Sequence, residues 1–400
     1  MTTTAALNPL AAVTSSPLLG VYKRPPIEIV GGEGVYLRDA EGKQYLDFVS
    51  GIAVNALGYG DEGLMSAFRN ATEVGLVHTS NLYHTSPAER LARALVDKSF
   101  ADAVFFCNSG AEANEGAFKF ARKWARALGG AGKHEIVAVR GSFHGRLFAT
   151  LAATDRPSYR VPFRPLAGGV SIAERNIEEL SVVLDTETVA ALIVEPVQGE
   201  GGVRVMDPGF LRELRALTRE RKIALILDEI QCGLGRTGTL FAYEHAEIEP
   251  DMVTLAKPLA GGLPMGAVLL TQEIASAMQP GEHGTTFGGG PFVASVALHV
   301  LERLSDPRLL ASVTNNGTWL ERSLGRLAEK TDKVRGVRGL GYMWGVDVTE
   351  AAGDIVKRAM ELGLLVCTAG DHTLRLLPPL VTTRAELEKG LAILAEAINS

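Results

Sequence analysis

The residues best suited to chemistry stand at the ends of apolar runs. Asp228 follows the wholly apolar Ala224–Leu227, where a carboxylate is costly unless a cation pairs with it. Lys257 follows Met252–Ala256 and precedes Pro258 and Gly261-Gly262, so its amine should emerge at a strand end within reach of a cleft. Ser109-Gly110-Ala111 opens a strongly helical stretch, Glu112 to Leu128, and the free N–H groups and dipole of a helix start attract an anion. Phe143 lies in a polar, Gly-flanked turn, where an aromatic has little reason to sit unless it packs on something flat. A lysine for a Schiff base, an acid beside a pyridine nitrogen, an anion hole and a stacking ring are together what pyridoxal phosphate chemistry requires.

Each of these residues also has a plainer reading. Lys257 alone is a solvated strand-end lysine, and Asp228 alone is a helix N-cap. Ser109 or Asn108 is the ordinary cap of the helix that follows. His144, beside Phe143, is open between a hydrogen-bonded structural residue and an acid or base. The run Gly233-Leu234-Gly235-Arg236-Thr237-Gly238 matches GxGxxG, but it follows the Asp228–Gln231 cluster and opens no obvious helix, so it reads as a loop. No GK[ST] sequence is present, which excludes a nucleotide P-loop.

The elements that must position these residues alternate short apolar runs with amphipathic stretches from about Asp102 to Leu270, the pattern of βαβ units around a mostly parallel sheet. The runs are Ala103–Phe106, Ile136–Val139, Ala190–Val194, Ala224–Leu227, Met252–Ala256 and Ala267–Leu270. Nearly every run ends in Gly and polar residues, and ligands of open α/β sheets bind outside such carboxyl ends. The segment Gly34–Phe48 reads as a hairpin turning at Glu41-Gly42. After Gly290 come helical patterns at Pro291–Leu304 and Asn315–Glu329, strands around Gly339–Val348 and a helix near Arg384–Ile398. The expected division is an N-terminal arm and hairpin segment over 1–60 that packs with the small domain, a large cofactor domain over 61–290 and a C-terminal small domain over 291–400.

With 400 residues and 46% hydrophobic composition, the chain has apolar material for one large core and a smaller one. A net charge of −6 with interspersed signs gives no footprint for nucleic acid or an anionic membrane. Cys107, Cys232 and Cys367 are scattered, against both a disulfide framework and a zinc site, and point to a reducing cytosol. The stretch Met1–Gly20 lacks a basic n-region and reads as a surface arm, and Leu255–Leu270 is too broken by Lys257, prolines and glycines to span a bilayer.

The ordered motifs FFCNSGAEANE at Phe105–Glu115, FHGR at Phe143–Arg146, EPVQGEGGV at Glu195–Val203, DEIQCGLGRTG at Asp228–Gly238, LAK at Leu255–Lys257 and HGTTFGG at His283–Gly289 resemble the class III aminotransferases of fold type I, most closely the acetylornithine branch. The resemblance covers almost the whole chain. It implies pyridoxal 5'-phosphate bound by Lys257 as a Schiff base, with Asp228 and Lys257 as catalytic residues and Ser109, Gly110, Ala111, Phe143, His144 and Gln231 around the cofactor. It implies a homodimer whose neighbouring subunit supplies Thr286 to the phosphate. Arg146 would grip an α-carboxylate with Thr285 nearby, and Glu200 and Arg375 would form a switchable pair, for which the alternative is a permanent salt bridge. Two departures stand out: Gly290 precedes Pro291 where the family usually has Asn, and Thr285 replaces a common Ser.

The implied reaction is ping-pong transfer of the δ-amino group of N2-acetylornithine to 2-oxoglutarate, which gives N-acetylglutamate 5-semialdehyde and glutamate on the route to arginine. Relatives acting on succinylornithine, succinyl-diaminopimelate, ornithine, 4-aminobutyrate or a carrier-linked lysine precursor stay open, as do a racemase or decarboxylase of the same fold and a silent binding protein.

Overall fold

The computed structural model describes residues 17–400; most of the proposed arm Met1–Gly20 lies outside them, and residues 17–20 are exposed. A seven-stranded sheet forms the centre, from β4 (Ala103–Cys107), β5 (Glu135–Val139), β6 (Val170–Ala173), β7 (Val189–Val194), β10 (Ala224–Asp228), β11 (Met252–Leu255) and β12 (Gly266–Leu270). Its order is β4-β12-β11-β10-β7-β5-β6, and only β12 runs antiparallel to its neighbours. A two-residue hairpin, β8 (Val197–Gln198) with β9 (Arg204–Val205), rises just beyond β7.

The strands read as continuous apolar runs because helices cover both faces of the sheet. Leu225 and Leu227 enter one core, whereas Ala224 and Ile226 enter a second with Ala113, Ala117, Phe118 and Ala121 of the Gly110–Gly129 helix. Side chains alternate along a strand, so Asp228 and Thr254, paired in register across β10 and β11, project to the side of that helix. The helix begins at Ser109, whose hydroxyl accepts the Glu112 N–H at 3.2 Å, a cap that contributes about 1 kcal/mol. The plain reading of Ser109 as a cap is thus realised.

Away from this sheet, β1 (Ile29–Glu33), β2 (Tyr36–Asp39) and β3 (Gln44–Asp47) form the amino-terminal sheet, with the expected turn at Glu41-Gly42. The late strand β15 (Leu364–Leu365) completes it by pairing with β3. A further sheet, ordered β13 (Val334–Leu340), β14 (Met343–Val348), β17 (Thr373–Leu376) and β16 (Cys367–Thr368), carries Arg375. The helices Pro291–Leu304 and Arg384–Asn399 lie where expected, but the one read as Asn315–Glu329 starts at Pro307, capped by Asp306, and runs to Lys330. Strand β6 escaped the sequence reading: Val170–Ala173 has only four residues and includes Ser171. No helix among the described residues is long and apolar enough to cross a membrane.

The amino-terminal sheet and the last helix meet at Gly390. A Cβ there would lie 2.3 Å from Cε2 and Cζ of Phe48, a buried core residue. Alanine is favoured over glycine within a helix by about 1 kcal/mol, but here overpacking outweighs propensity. Gly390→Ala is expected to lower stability by about 1–3 kcal/mol in urea unfolding; an equal or higher midpoint would show that Phe48 yields freely.

Candidate active site

The carboxyl ends of the parallel strands surround one cavity of about 550 Å³. Ser109, Gly110 and Ala111 reach it after β4; Phe143, His144 and Arg146 after β5; Glu195 after β7; and Lys257 after β11. Asp228, the last residue of β10, and Gln231 complete this set.

Asp228 is only 4% exposed. Its Oδ2 accepts from His144 Nδ1 at 2.7 Å and Asn114 Nδ2 at 2.8 Å, and its Oδ1 accepts the Ile230 N–H at 3.1 Å. No helix begins there, so the alternative of an N-cap falls away. Because a carboxylate only accepts, His144 carries a proton on Nδ1. Its buried Nε2 has no partner among the described residues.

Lys257 is partly buried, with a φ of 37° that a non-glycine residue adopts at a cost of about 1–3 kcal/mol. No hydrogen bond or ion pair restrains its amine among the described residues. Burial, then the Arg375 charge, pushes that amine below the ordinary lysine range, against the pull of Glu200, Asp228 and Glu195. The result favours the neutral, nucleophilic form.

At the helix start, the amides of Gly110 and Ala111 find no acceptor among the described residues. Gly110 has to lack a side chain, since a Cβ would meet Ile230 Cδ1 at 2.7 Å. Arg146 is exposed at the cavity, its guanidinium 4.7 Å from the Tyr159 ring centroid. Phe143 meets Tyr159 edge-on at 6.3 Å.

Glu200 and Arg375 are joined by a 2.6 Å ion pair, with side chains 20% and 2% exposed. Arg375 Nη1 also donates to Gln231 Oε1 at 3.0 Å, and its Nε to Cys367 Sγ at 3.4 Å. Burial alone would raise the Glu200 carboxyl, but Arg375, aided by the Lys257 and Arg156 charges, holds it below the usual range. The Gln231 amide keeps Nε2 as a donor, since its oxygen is engaged.

Four predicted residues do not line the cavity: Glu200 and Arg375 stand behind its lining residue Gln231, and Thr285 and Thr286 lie elsewhere in this chain. Thr285 does not line the cavity, and its hydroxyl accepts from Asn108 Nδ2 at 2.9 Å. Thr286 is exposed beside a separate hollow with His78 and Tyr83. Gly290, the departure from the family pattern, caps the Pro291–Leu304 helix without a side-chain bond.

Sequence reasoning missed Asn114, Thr254 and Glu195. Glu195 directly follows the buried apolar run of β7, as Asp228 follows Ala224–Leu227, a comparable signal that went unused. Its oxygens accept the N–H groups of Phe143 at 2.9 Å and Gly199 at 3.1 Å, while burial and Asp228 push its carboxyl up to about 7. Asn114 was legible as the polar residue on an otherwise small and apolar helix face.

The family model for class-III aminotransferases matches residues 21–398. The acetylornithine aminotransferase of Methanocaldococcus jannaschii is 45% identical over 95% of this chain and 96% of its own. The crystal structure of N-acetylornithine aminotransferase from Stenotrophomonas maltophilia superposes with a TM-score of 0.83 at 38% identity, covering 94% of this chain and 96% of that one. The ornithine aminotransferase of Toxoplasma gondii, described with partial occupancy of PLP at its active site, gives 0.93 at 30% identity, covering 97% and 93%. Both the catalytic geometry and these matches lead to one family: the chain belongs to the class-III aminotransferases, pyridoxal-phosphate-dependent transaminases of fold type I.

Proposed function

We propose that the chain transfers the δ-amino group of N2-acetylornithine to 2-oxoglutarate, with the residues of this cavity holding pyridoxal phosphate. The observation that carries the cofactor assignment is the buried Asp228 carboxylate facing the cavity with no lysine or arginine paired to it among the described residues. A protonated pyridine nitrogen would supply the missing cation. Gly110 and Ala111 would receive the phosphate on free amides, with Ser109 beside them. Phe143 would lie against the ring, Gln231 Nε2 would donate to the ring oxygen, and His144 would brace Asp228. When bound, the cofactor supplies an aldehyde for amine exchange and an electron sink for the adjacent carbanion.

The chain's own residues divide the remaining work. Lys257 would hold the cofactor through its amine, and the free amine would be the base placed to move a proton within the site. Arg146 offers an exposed guanidinium to the α-carboxylate of the donor, and Thr285 is joined through its hydroxyl to Asn108, which lines the cavity. Glu200 neutralises Arg375 while the donor is bound and releases it to a dicarboxylate in the second half-reaction. The acetylated donor is supported by the names of the full-length relatives.

The same reading includes a homodimer, a cytoplasmic location and the three-part division at 60 and 290. The dimer is supported by Leu82, Tyr83 and Phe287, which are 81%, 72% and 65% exposed near Thr286. Apolar side chains gathered in this way mark an interaction surface, and Thr286 would then serve the partner's phosphate. The location is supported by three unpaired cysteines.

Lys257→Ala should abolish the visible band of the loaded enzyme and cut turnover by about three orders of magnitude or more. Borohydride labelling at Lys222 in the parent enzyme would overturn the assignment. With 2-oxoglutarate as acceptor, N2-acetylornithine should exceed free ornithine by about tenfold or more in kcat/KM, equivalent to about 1.4 kcal/mol. The second donor brings a positive α-ammonium to cationic Arg146. Arg146→Ala should penalise the acetylated donor more than glutamate, and faster turnover of ornithine or 4-aminobutyrate would sink the assignment. Finally, mixing Lys257→Ala with an inactive Thr286 variant should restore part of the activity. No recovery despite demonstrated subunit exchange would argue against shared sites.

A further inference from the structure

Behind Asp228 lies a buried polar relay that the proposed roles leave unused. Asn114 is fully buried within the Gly110–Gly129 helix, the same helix whose first amides are assigned to the phosphate. Its Nδ2 donates both to Asp228 Oδ2 and to the His144 carbonyl, each at 2.8 Å. Its Oδ1 accepts from Thr254 Oγ1, also at 2.8 Å. Thr254 is fully buried on β11 and stands beside Asp228 in the register of the sheet.

The orientation of this amide is forced by its neighbours. Asp228 Oδ2 and the His144 carbonyl can only accept, so Asn114 must turn its two N–H groups toward them. Its oxygen then faces Thr254, whose hydroxyl is the one donor there. Were Thr254 to lose that hydroxyl, the buried oxygen would be left unanswered, and the rotation that relieved it would aim oxygen at oxygen on the other side.

We infer that Asn114 and Thr254 are positioning residues that keep Asp228 ionised and aimed at the cofactor's ring nitrogen. This rests on the assignment of Asp228 to that nitrogen. With the Asn114 and His144 N–H donors on Oδ2 and the Ile230 N–H on Oδ1, a proton on either carboxylate oxygen would face a donor, so the proton shared with the ring would stay on the ring nitrogen. The relay also ties the ring-nitrogen contact to the phosphate site, because Asn114 sits one helical turn beyond Gly110. The second bond of Asn114, to the His144 carbonyl, holds the turn that carries Phe143.

The test uses loaded enzyme carrying Asn114→Ala, Thr254→Val, Thr254→Ser or Asp228→Asn. Three quantities are measured: cofactor dissociation constant, pH titration of the visible absorbance, and kcat and KM of each half-reaction. Asn114→Ala should shift the absorbance titration in the direction of Asp228→Asn and lower kcat about tenfold in both half-reactions, with both KM values little changed. Thr254→Val, almost isosteric and so the safer variant for folding, should give a smaller shift of the same sign. Thr254→Ser, which retains the hydroxyl, should restore the parent titration. If Asp228→Asn shifts the titration but neither Asn114→Ala nor Thr254→Val does, the relay is structural only and the inference falls alone. It falls alone, too, if those two variants weaken cofactor binding without moving the titration. If Asp228→Asn itself leaves the titration unchanged, the ring-nitrogen assignment falls and takes the relay with it.

Discussion

A carboxylate that ends a strand inside the core has to be answered by donors or by a cation, and the surroundings of Asp228 are organised by that requirement. Three donors reach it from different parts of the chain: Asn114 from the helix after β4, His144 from the turn after β5, and Ile230 from its own loop. They fix its direction without supplying a full positive charge of the lysine or arginine kind. A buried ion without a counter-ion is expensive, and a cationic ring in the cavity lowers that cost. With the proposed cofactor in place, the stability of the cavity floor and the affinity for that cofactor would be linked through one side chain. Lys257 stands in a complementary state, its amine unrestrained and driven toward neutrality by burial and by Arg375.

Much of this was legible in the sequence because the relevant signals are local. Strand ends, a Gly-bearing helix start and an aromatic in a polar turn each sit within a few residues of one another, and backbone periodicity decides where they emerge. Asp228 and Lys257 were readable since each ends an apolar run, and β10 and β11 then turned out to be neighbours. Partners of a site residue were not readable in the same way. The Asn114–Asp228 contact joins residues 114 positions apart, and no spacing announces it. Strand β6 was missed because a four-residue strand with a serine lacks the apolar density of its neighbours. Thr285 and Thr286 carry no chemistry distinguishable from any loop threonine, so only the resemblance singled them out, and in this chain neither lines the cavity.

The Glu200–Arg375 pair shows how packing can decide which half of an ion pair is free to move. Arg375 is tied at three points, to Glu200, Gln231 and Cys367, and its side chain is 2% exposed. Glu200 is ten times more exposed and meets Arg375 through a single carboxylate oxygen. Its backbone, however, is held firmly. The Gly199 N–H is bound by Glu195, the Glu200 carbonyl by Arg156, the Gly201 carbonyl by Arg204 at 3.0 Å, and the Gly202 carbonyl by Arg338 at 2.7 Å. Moving that loop would break several bonds at once, and moving Arg375 would strip a buried cation of its acceptors. Rotating the Glu200 side chain breaks a single bond and leaves Arg375 on Gln231 and Cys367, and an incoming carboxylate would replace Glu200 on the buried cation. Under the proposed two-substrate reaction, which accepts a dicarboxylate in one half and a different amine in the other, a fixed arginine with a movable carboxylate would change the charge behind Gln231 without disturbing the strand that carries Arg375.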